Sequence, residues 1–160
     1  MLKKLVLAGL AGLAMGAAVA QEHADEHEVS VGDITIVHPW ARAAAAGADT
    51  LVFFEIENTG APDKLTGAAT EVAGSVEIVG ATMTGGESGW QLVGPVDVSA
   101  GDFDFDPNGL GLQLKGLTQE LAQGGEFELA LTFEHAGEVH VHVEVERADA
   151  TQHSHAGHSH

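Results

Sequence analysis

The sequence contains no cysteine and no tyrosine among its 160 residues. Without cysteine there is no disulfide, no thiolate metal site, no thiol nucleophile and no acceptor for a lipoprotein anchor. Basic residues are also scarce, since 6 lysines and arginines stand against 24 acidic residues, for a formal net charge of −18. Because such a surface repels phosphates, this charge excludes nucleic-acid binding and argues against binding to anionic membranes.

Long apolar runs are missing except at the N-terminus. Residues 1–20 read MLKKLVLAGLAGLAMGAAVA, in which two lysines precede an apolar stretch and Ala18-Val19-Ala20 fits a small-x-small cleavage site. The stretch is short for a membrane span, and no second apolar run follows it. We therefore predict a signal peptide over residues 1–20, export to the periplasm, and a mature protein without a membrane span.

Short alternating apolar segments separated by turns follow from there to residue 147. TLVFFEIEN, SVEIVGATM, EFELALTFE and EVHVHVEVE have the pattern of strands, TGGESG and DPNG that of turns, and LTQELAQGG alone suggests a helical turn. This pattern predicts an all-β fold, an antiparallel Greek-key sandwich or barrel. We expect one domain over residues 30–147, between a flexible acidic leader at 21–29 and a disordered histidine-rich tail at 148–160.

The last two strand segments predict a hairpin in some detail. Apolar residues must share one face of the sheet, so we expect Phe133 to pair with Val139 across a short turn. Gly137 would end this turn with a positive φ. His140 and His142 would then both point outward, on the polar face.

Three segments in a fixed order resemble a known family. They are ITIVHPWARA, FFEIENTGAPDKLTGAATEVAGSVEI and PNGLGLQLKGLTQELAQGGEFELALTFEHAGEV. Together they are similar to the PCu(A)C family of periplasmic copper chaperones, roughly from Val29 to Val145. The resemblance implies a cupredoxin-like β-sandwich or barrel. It also implies delivery of Cu(I) to a copper-accepting protein, such as a cytochrome oxidase subunit or another copper chaperone.

The histidine and methionine positions of that family's copper site are not retained. They fall here on Val79, Ala81, Trp90, Gln91, Gly111 and Gln113. None of these side chains supplies the thioether or imidazole ligands that Cu(I) prefers. A metal site in this protein must therefore lie elsewhere.

Ten histidines supply the alternatives, in three groups. The first is HSHAGHSH on the predicted tail, and the second is HVH, whose imidazoles share a strand face about 6.5–7 Å apart. The third group depends on cleavage after residue 20. The new terminal amine, two backbone amides and the imidazole of His23 in QEH would then form a square-planar set of nitrogen ligands for Cu(II) or Ni(II). The candidate ligands are His23, His27, His140, His142, His153, His155, His158 and His160.

These observations predict a copper-binding protein that delivers or buffers copper as Cu(II) or Cu(I). Clustered imidazoles also bind zinc or nickel in vitro. The alternative is a degenerate β-barrel that retains the fold as an interaction module and has no metal function. No catalytic triad or phosphate loop is present, so we predict no enzyme. We expect His38 to be structural and Arg42 to pair with an acidic neighbour.

Overall fold

The computed structural model describes residues 27–154, and its regular structure is entirely β. The strands are β1 (Glu28–Val31), β2 (Ile34–Arg42), β3 (Thr50–Asn58), β4 (Asp63–Ala69), β5 (Ala73–Thr84), β6 (Glu87–Leu92), β7 (Val96–Val98), β8 (Gly101–Phe105), β9 (Leu110–Leu117), β10 (Glu126–Phe133) and β11 (Gly137–Glu146). Over this range the chain has no helix of the length and apolarity needed to cross a bilayer. The all-β prediction is confirmed.

The strands join in one mixed sheet with the order β6-β5-β9-β3-β2-β11-β10-β4-β7, while β1 pairs with β2 and β8 with β3. Nine of the strand pairs are antiparallel, and β2 pairs with β11 in parallel. This parallel pair places the first long strand beside the last. Both ends of the domain therefore lie at the same part of the sheet.

Alternation along the strands separates a buried face from an exposed one. In β11 the four valines from Val139 to Val145 are buried, whereas His140 and His142 between them are exposed. The valines pack against the buried apolar residues of β10 and of the other long strands. Burial of a side chain of this size stabilises the fold by about 1.5–3 kcal/mol.

The register predicted for the last hairpin is wrong by two residues. Phe133 pairs with Gly137 and Leu131 with Val139, so Ala130 lies opposite His140. Gly137 has the expected positive φ, at 90°. A shift of two residues keeps every side chain on its predicted face, so the apolar pattern could not distinguish the two registers.

The helical turn expected in LTQELAQGG is also wrong. Leu121 forms an isolated bridge with Ala44 and is buried in the core. Backbone hydrogen bonds run both ways between these two residues, at 3.1 and 2.9 Å. Tertiary packing of one leucine thus overrides the local helical propensity.

The two ends of the domain extend beyond the predicted boundaries. At the N-terminal end β1 begins at Glu28, two residues before the expected start of the domain at residue 30. At the other end residues 148–154 fold back onto the barrel instead of leaving it at residue 147. Nε of Arg42 donates to the carbonyl of Ala150 at 2.8 Å, and the amide of Ser154 donates to Glu146 at 2.9 Å. Arg42 thus holds the returning segment.

Candidate metal-binding site

A bulge in β2 positions the first histidine of the site. Val37 pairs with Glu55 and Trp40 with Phe53, so β2 has one more residue than β3 between these pairs. His38 occupies the bulge with φ 47°, a left-handed conformation that is uncommon for residues other than glycine. Strained backbone of this kind occurs preferentially at functional sites.

The bulge also brings the N-terminal end of the domain to the site. The amide of His38 donates to the carbonyl of His27 at 2.8 Å. The two rings lie 5.9 Å apart between centroids. His27 therefore lies next to His38, although β1 and the first part of β2 separate the two residues in the sequence.

The returning C-terminal segment supplies the third imidazole. The ring centroid of His153 lies 5.9 Å from that of His27 and 5.6 Å from that of His38, on which it stacks at 22°. Three imidazoles from the two ends of the domain therefore converge. We call them the histidine cluster.

Two carboxylates of β11 complete the site. Oε1 of Glu144 lies 3.4 Å from Nδ1 of His27, and Oε2 lies 3.2 Å from Nε2 of His153. Oε1 of Glu146 lies 3.0 Å from Nδ1 of His153. Residues two apart on a strand share a face, which places both carboxylates on the same side. His27, Glu144 and His153 each offer a ligand atom, and these atoms lie within 4.8 Å of one another.

The environment of His153 favours its neutral form. Its side chain is only 11% exposed, and this burial lowers the pKa of His153 below its ordinary value. The carboxylates of Glu144 and Glu146 act to raise the pKa, while the neighbouring imidazoles lower it further. Neutral imidazole is the form that binds metal ions, so this residue is prepared to act as a ligand at neutral pH.

A cleft of about 230 Å³ opens beside His38 and His153. Aromatic and apolar side chains form part of its wall, and Glu55, Asp104 and Asp106 add carboxylates. Burial raises the pKa of Glu55, and the nearby Asp104 raises it as well. The cleft therefore places carboxylates beside the histidine cluster, and their negative charge attracts cations.

His140 and His142, the predicted ligands on β11, lie outside the histidine cluster. Nδ1 of His140 lies 2.9 Å from Glu128, and Nε2 lies 2.6 Å from Glu138. These hydrogen bonds with Glu128 and Glu138 raise the pKa of His140. His142 is exposed on the same face. Within residues 27–154, neither belongs to a group of three closely spaced potential ligands.

The two carboxylates next to His140 lead to a testable prediction about its pKa. We expect an NMR titration to place the pKa of His140 above 6.5, and Glu128→Gln to lower it because one charged acceptor is lost. A value for His140 that does not respond to Glu128→Gln would contradict this arrangement.

The remaining candidates His23, His155, His158 and His160 lie outside the described residues, as does the predicted signal peptide. The structure brings together His27 and His153, which the sequence placed in separate groups. It adds His38, which was expected to be structural. A proline inside a strand pattern indicates a bulge. Pro39, directly after His38, was therefore the sequence feature that could have indicated the unusual position of His38.

The positions that correspond to the family's copper site lie on the neighbouring strands β5, β6 and β9, and part of them is packed among apolar groups. Val79 pairs with Gly111, and Ala81 pairs with Trp90. Val79 is buried in a small cluster with three residues of β2 and β3: Trp40, Leu51 and Phe53. Trp90 and Ala150 pack against this cluster. We call this group the aromatic cluster. The side chains at these positions offer no soft ligand, as the sequence indicated.

Comparisons with known proteins agree with this architecture. The model of the LpqE-like lipoprotein family matches residues 34–145. The apo PCuAC domain from PmoF1 is 31% identical with a TM-score of 0.64, over 76% of this chain and 99% of that one. The copper-bound PCuAC domain from PmoF2 is 29% identical with a TM-score of 0.56, over 76% and 98%.

A more distant structure shows the same fold. The CuI form of DR1885 from Deinococcus radiodurans is 24% identical with a TM-score of 0.57, over 83% of this chain and 89% of that one. No curated protein matches the sequence. The cupredoxin-like fold inferred from the sequence is therefore confirmed, and the chain belongs to the LpqE-like family of PCuAC-type domains, without the histidines and methionines of the usual PCu(A)C copper site.

Proposed function

We propose that this protein binds copper outside the cytoplasm and delivers or buffers it, with the ion held by the histidine cluster and Glu144. The observation that carries the proposal is the convergence of His27, His153 and Glu144, whose potential ligand atoms lie within 4.8 Å of one another, beside the ring of His38. Nitrogen ligands of this kind suit copper, and carboxylate oxygens can complete the coordination. The relatives from PmoF2 and Deinococcus radiodurans are described with copper bound.

The compartment follows from the N-terminal pattern and the family. Residues 1–20 have the composition of a signal peptide, and the family is described as lipoproteins. This chain has no cysteine to carry a lipid. We therefore propose a periplasmic protein. Its recipient would be a copper-accepting protein, such as a cytochrome oxidase subunit or another copper chaperone.

The other predicted ligands have a supporting role in this proposal. His155, His158 and His160 follow His153 directly in sequence, so they would raise the local concentration of bound copper next to the cluster. His23, at the predicted mature terminus, is close in sequence to His27 and would act in the same way. His140 and His142 would form a weaker surface site, because both side chains are exposed and, within residues 27–154, neither belongs to a group of three closely spaced potential ligands.

Two shortened chains test the location of the site. We expect the mature protein ending at Ser154 to bind about one equivalent of copper tightly, because it keeps the whole histidine cluster. The chain ending at Arg147 lacks His153, and we expect its affinity to fall at least about tenfold, which corresponds to about 1.4 kcal/mol. Isothermal titration against a competing chelator measures both.

Point variants provide the matched controls for this experiment. His153→Ala in the full mature chain should reproduce the loss, whereas His142→Ala should leave the affinity unchanged. Equal affinities for the two shortened chains would place the working site on β11 or at the N-terminus instead. An absence of copper binding in every form would contradict the metal function altogether.

A second candidate function is an interaction module without metal. The observation that favours it is an exposed apolar group on the β5–β6 hairpin and just after it. Met83 is 73% exposed and Leu92 66%, and Val93 lies next to Leu92. β6 lies at the edge of the sheet, where a partner protein can approach. The copper titration distinguishes this function from the first, because it predicts no stoichiometric binding.

A further inference from the structure

We infer that Glu144 makes the histidine cluster selective for a divalent ion, so that the site holds Cu(II) in preference to Cu(I). The inference rests on the proposed function, because it requires copper to bind at this cluster. It goes further by naming the oxidation state and the residue that determines it. The supporting observations are the position of Glu144, the charges around the cluster and the absence of a soft ligand.

Glu144 has a central position among the potential ligands. Its two carboxylate oxygens are directed to different histidines, with Oε1 next to His27 and Oε2 next to His153. The carboxylate is partly buried, with 31% of the side chain exposed. An ion bound between these imidazoles would therefore lie close to its negative charge.

The charge balance at the cluster favours a dication. Glu144 and Glu146 both contact His153, and the cleft beside it adds further carboxylates. Nε of Arg147, which follows Glu146 in the sequence, lies 3.2 Å from Asp149, and Arg42 is engaged with the returning segment. Its Nε donates to the carbonyl of Ala150, and its guanidinium lies 5.5 Å from the ring centroid of Phe53. A divalent ion neutralises the two glutamates, whereas a monovalent ion leaves one negative charge uncompensated in a partly buried site.

The ligand chemistry points in the same direction. Cu(I) prefers soft thioether or thiolate ligands, and carboxylate oxygens are hard ligands. Met83, the single methionine of residues 27–154, lies on β5, and its side chain is largely exposed. β9, β3 and β2 lie between β5 and β11 in the sheet order. No sulfur ligand within the described range therefore competes with Glu144.

Coulomb's law gives a quantitative form to the inference. The attraction between Glu144 and a bound ion is proportional to the charge of the ion, so it is twice as large for Cu(II) as for Cu(I). If Glu144→Gln weakens Cu(I) binding by about tenfold, it should weaken Cu(II) binding by about a hundredfold. The ratio of the two affinities then changes about tenfold. This change raises the reduction potential of the bound copper by about 59 mV.

The experiment measures affinities for Cu(II) and for Cu(I), each by chelator competition, and the reduction potential of the copper-loaded mature protein. The variants are Glu144→Gln, Glu144→Asp and Glu138→Gln. Glu144→Asp keeps the charge and should stay near the wild-type potential. Glu138→Gln is the matched control, because Glu138 lies six residues away on the same strand face, about 20 Å by the rise of a strand.

The outcomes separate this inference from the proposed function. A larger loss for Cu(II) than for Cu(I) in Glu144→Gln, with a raised potential, supports the selectivity role. Equal losses with an unchanged potential, or tighter binding of Cu(I) than of Cu(II) in the wild type, would overturn it and leave copper binding at the cluster intact. If His153→Ala leaves the binding of both ions unchanged, copper is not held at the histidine cluster, and the site assigned in the proposed function is wrong.

Discussion

Phe53→Ala should lower the free energy of unfolding by about 4 kcal/mol, the largest loss we expect from one side chain here. The ring of Phe53 is 1% exposed, and its centroid lies 4.9 Å from that of Trp40 and 5.9 Å from that of Trp90. Truncation removes these contacts and leaves a cavity that the sheet can fill only in part. Chemical denaturation followed by circular dichroism measures the loss.

The same substitution should weaken copper binding, although Phe53 is not a ligand. Ala150 packs against the aromatic cluster, three residues before His153. Without the ring of Phe53, the segment that carries His153 loses part of its packing, so holding the imidazole of His153 in position costs more free energy. We therefore expect a severalfold lower affinity for Cu(II), measured under conditions in which the variant is folded.

A second phenylalanine serves as the control for this effect. Phe133 is also 1% exposed but packs in the main core, on β10. Phe133→Ala should cause a comparable loss of stability, of about 3–5 kcal/mol, and leave the copper affinity of the folded protein unchanged. An equal drop in affinity for both variants would show that the effect on copper comes from general destabilisation.

The aromatic cluster also explains why the usual site of the family cannot simply be restored. A Cβ added at Gly111 would lie 3.0 Å from the ring of Phe53 and 3.4 Å from that of Trp90. Histidine at this position would therefore displace one of the two rings. Three of the positions that correspond to the family's copper ligands, Val79, Trp90 and Gly111, thus take part in the hydrophobic packing that supports the C-terminal segment.

The strands were predictable because alternation of apolar and polar residues is a local property. The segment around Val141 shows it clearly and is a long strand in the structure. The pairing of Phe133 was not predictable, since registers that differ by two residues bury the same side chains. The choice between them depends on the turn and on Asp63, which lies far away in the sequence.

The candidate site was predictable in part. The excess of histidine near both ends of the domain pointed to His27 and His153 as candidate ligands. Their convergence depends on the pairing of β1 with β2 and of β2 with β11 in parallel, which no local pattern encodes. The orientation of His38 depends on a bulge. The approach of Glu144 to His27 and His153 could not be deduced either, because it depends on the same strand pairings.

Asp63→Ala should lower the free energy of unfolding by about 3 kcal/mol, because it leaves three partly buried backbone donors without their acceptor. Asp63 is 8% exposed. Its Oδ1 accepts from the amides of Lys64 at 2.7 Å and His135 at 2.9 Å, and its Oδ2 accepts from the amide of Ala136 at 2.8 Å. The carboxylate thus fixes the turn between β10 and β11. Thermal and chemical denaturation at neutral pH measure the loss.

The contribution of Asp63 should also depend on pH. Burial acts to raise the pKa of Asp63, but the backbone N–H groups of His135, Lys64 and Ala136 outweigh it, and the pKa is lowered from 3.8. Because the folded pKa lies below the unfolded one, the folded state binds fewer protons between the two values. The stabilisation is therefore complete above pH 3.8 and is lost as the pH falls through the lowered pKa. Asp63→Asn cannot titrate, so the difference in stability between it and the wild type should be largest at neutral pH and should shrink in acid. A difference that stays constant down to the acid limit of folding would mean that the charge of the carboxylate does not stabilise the turn.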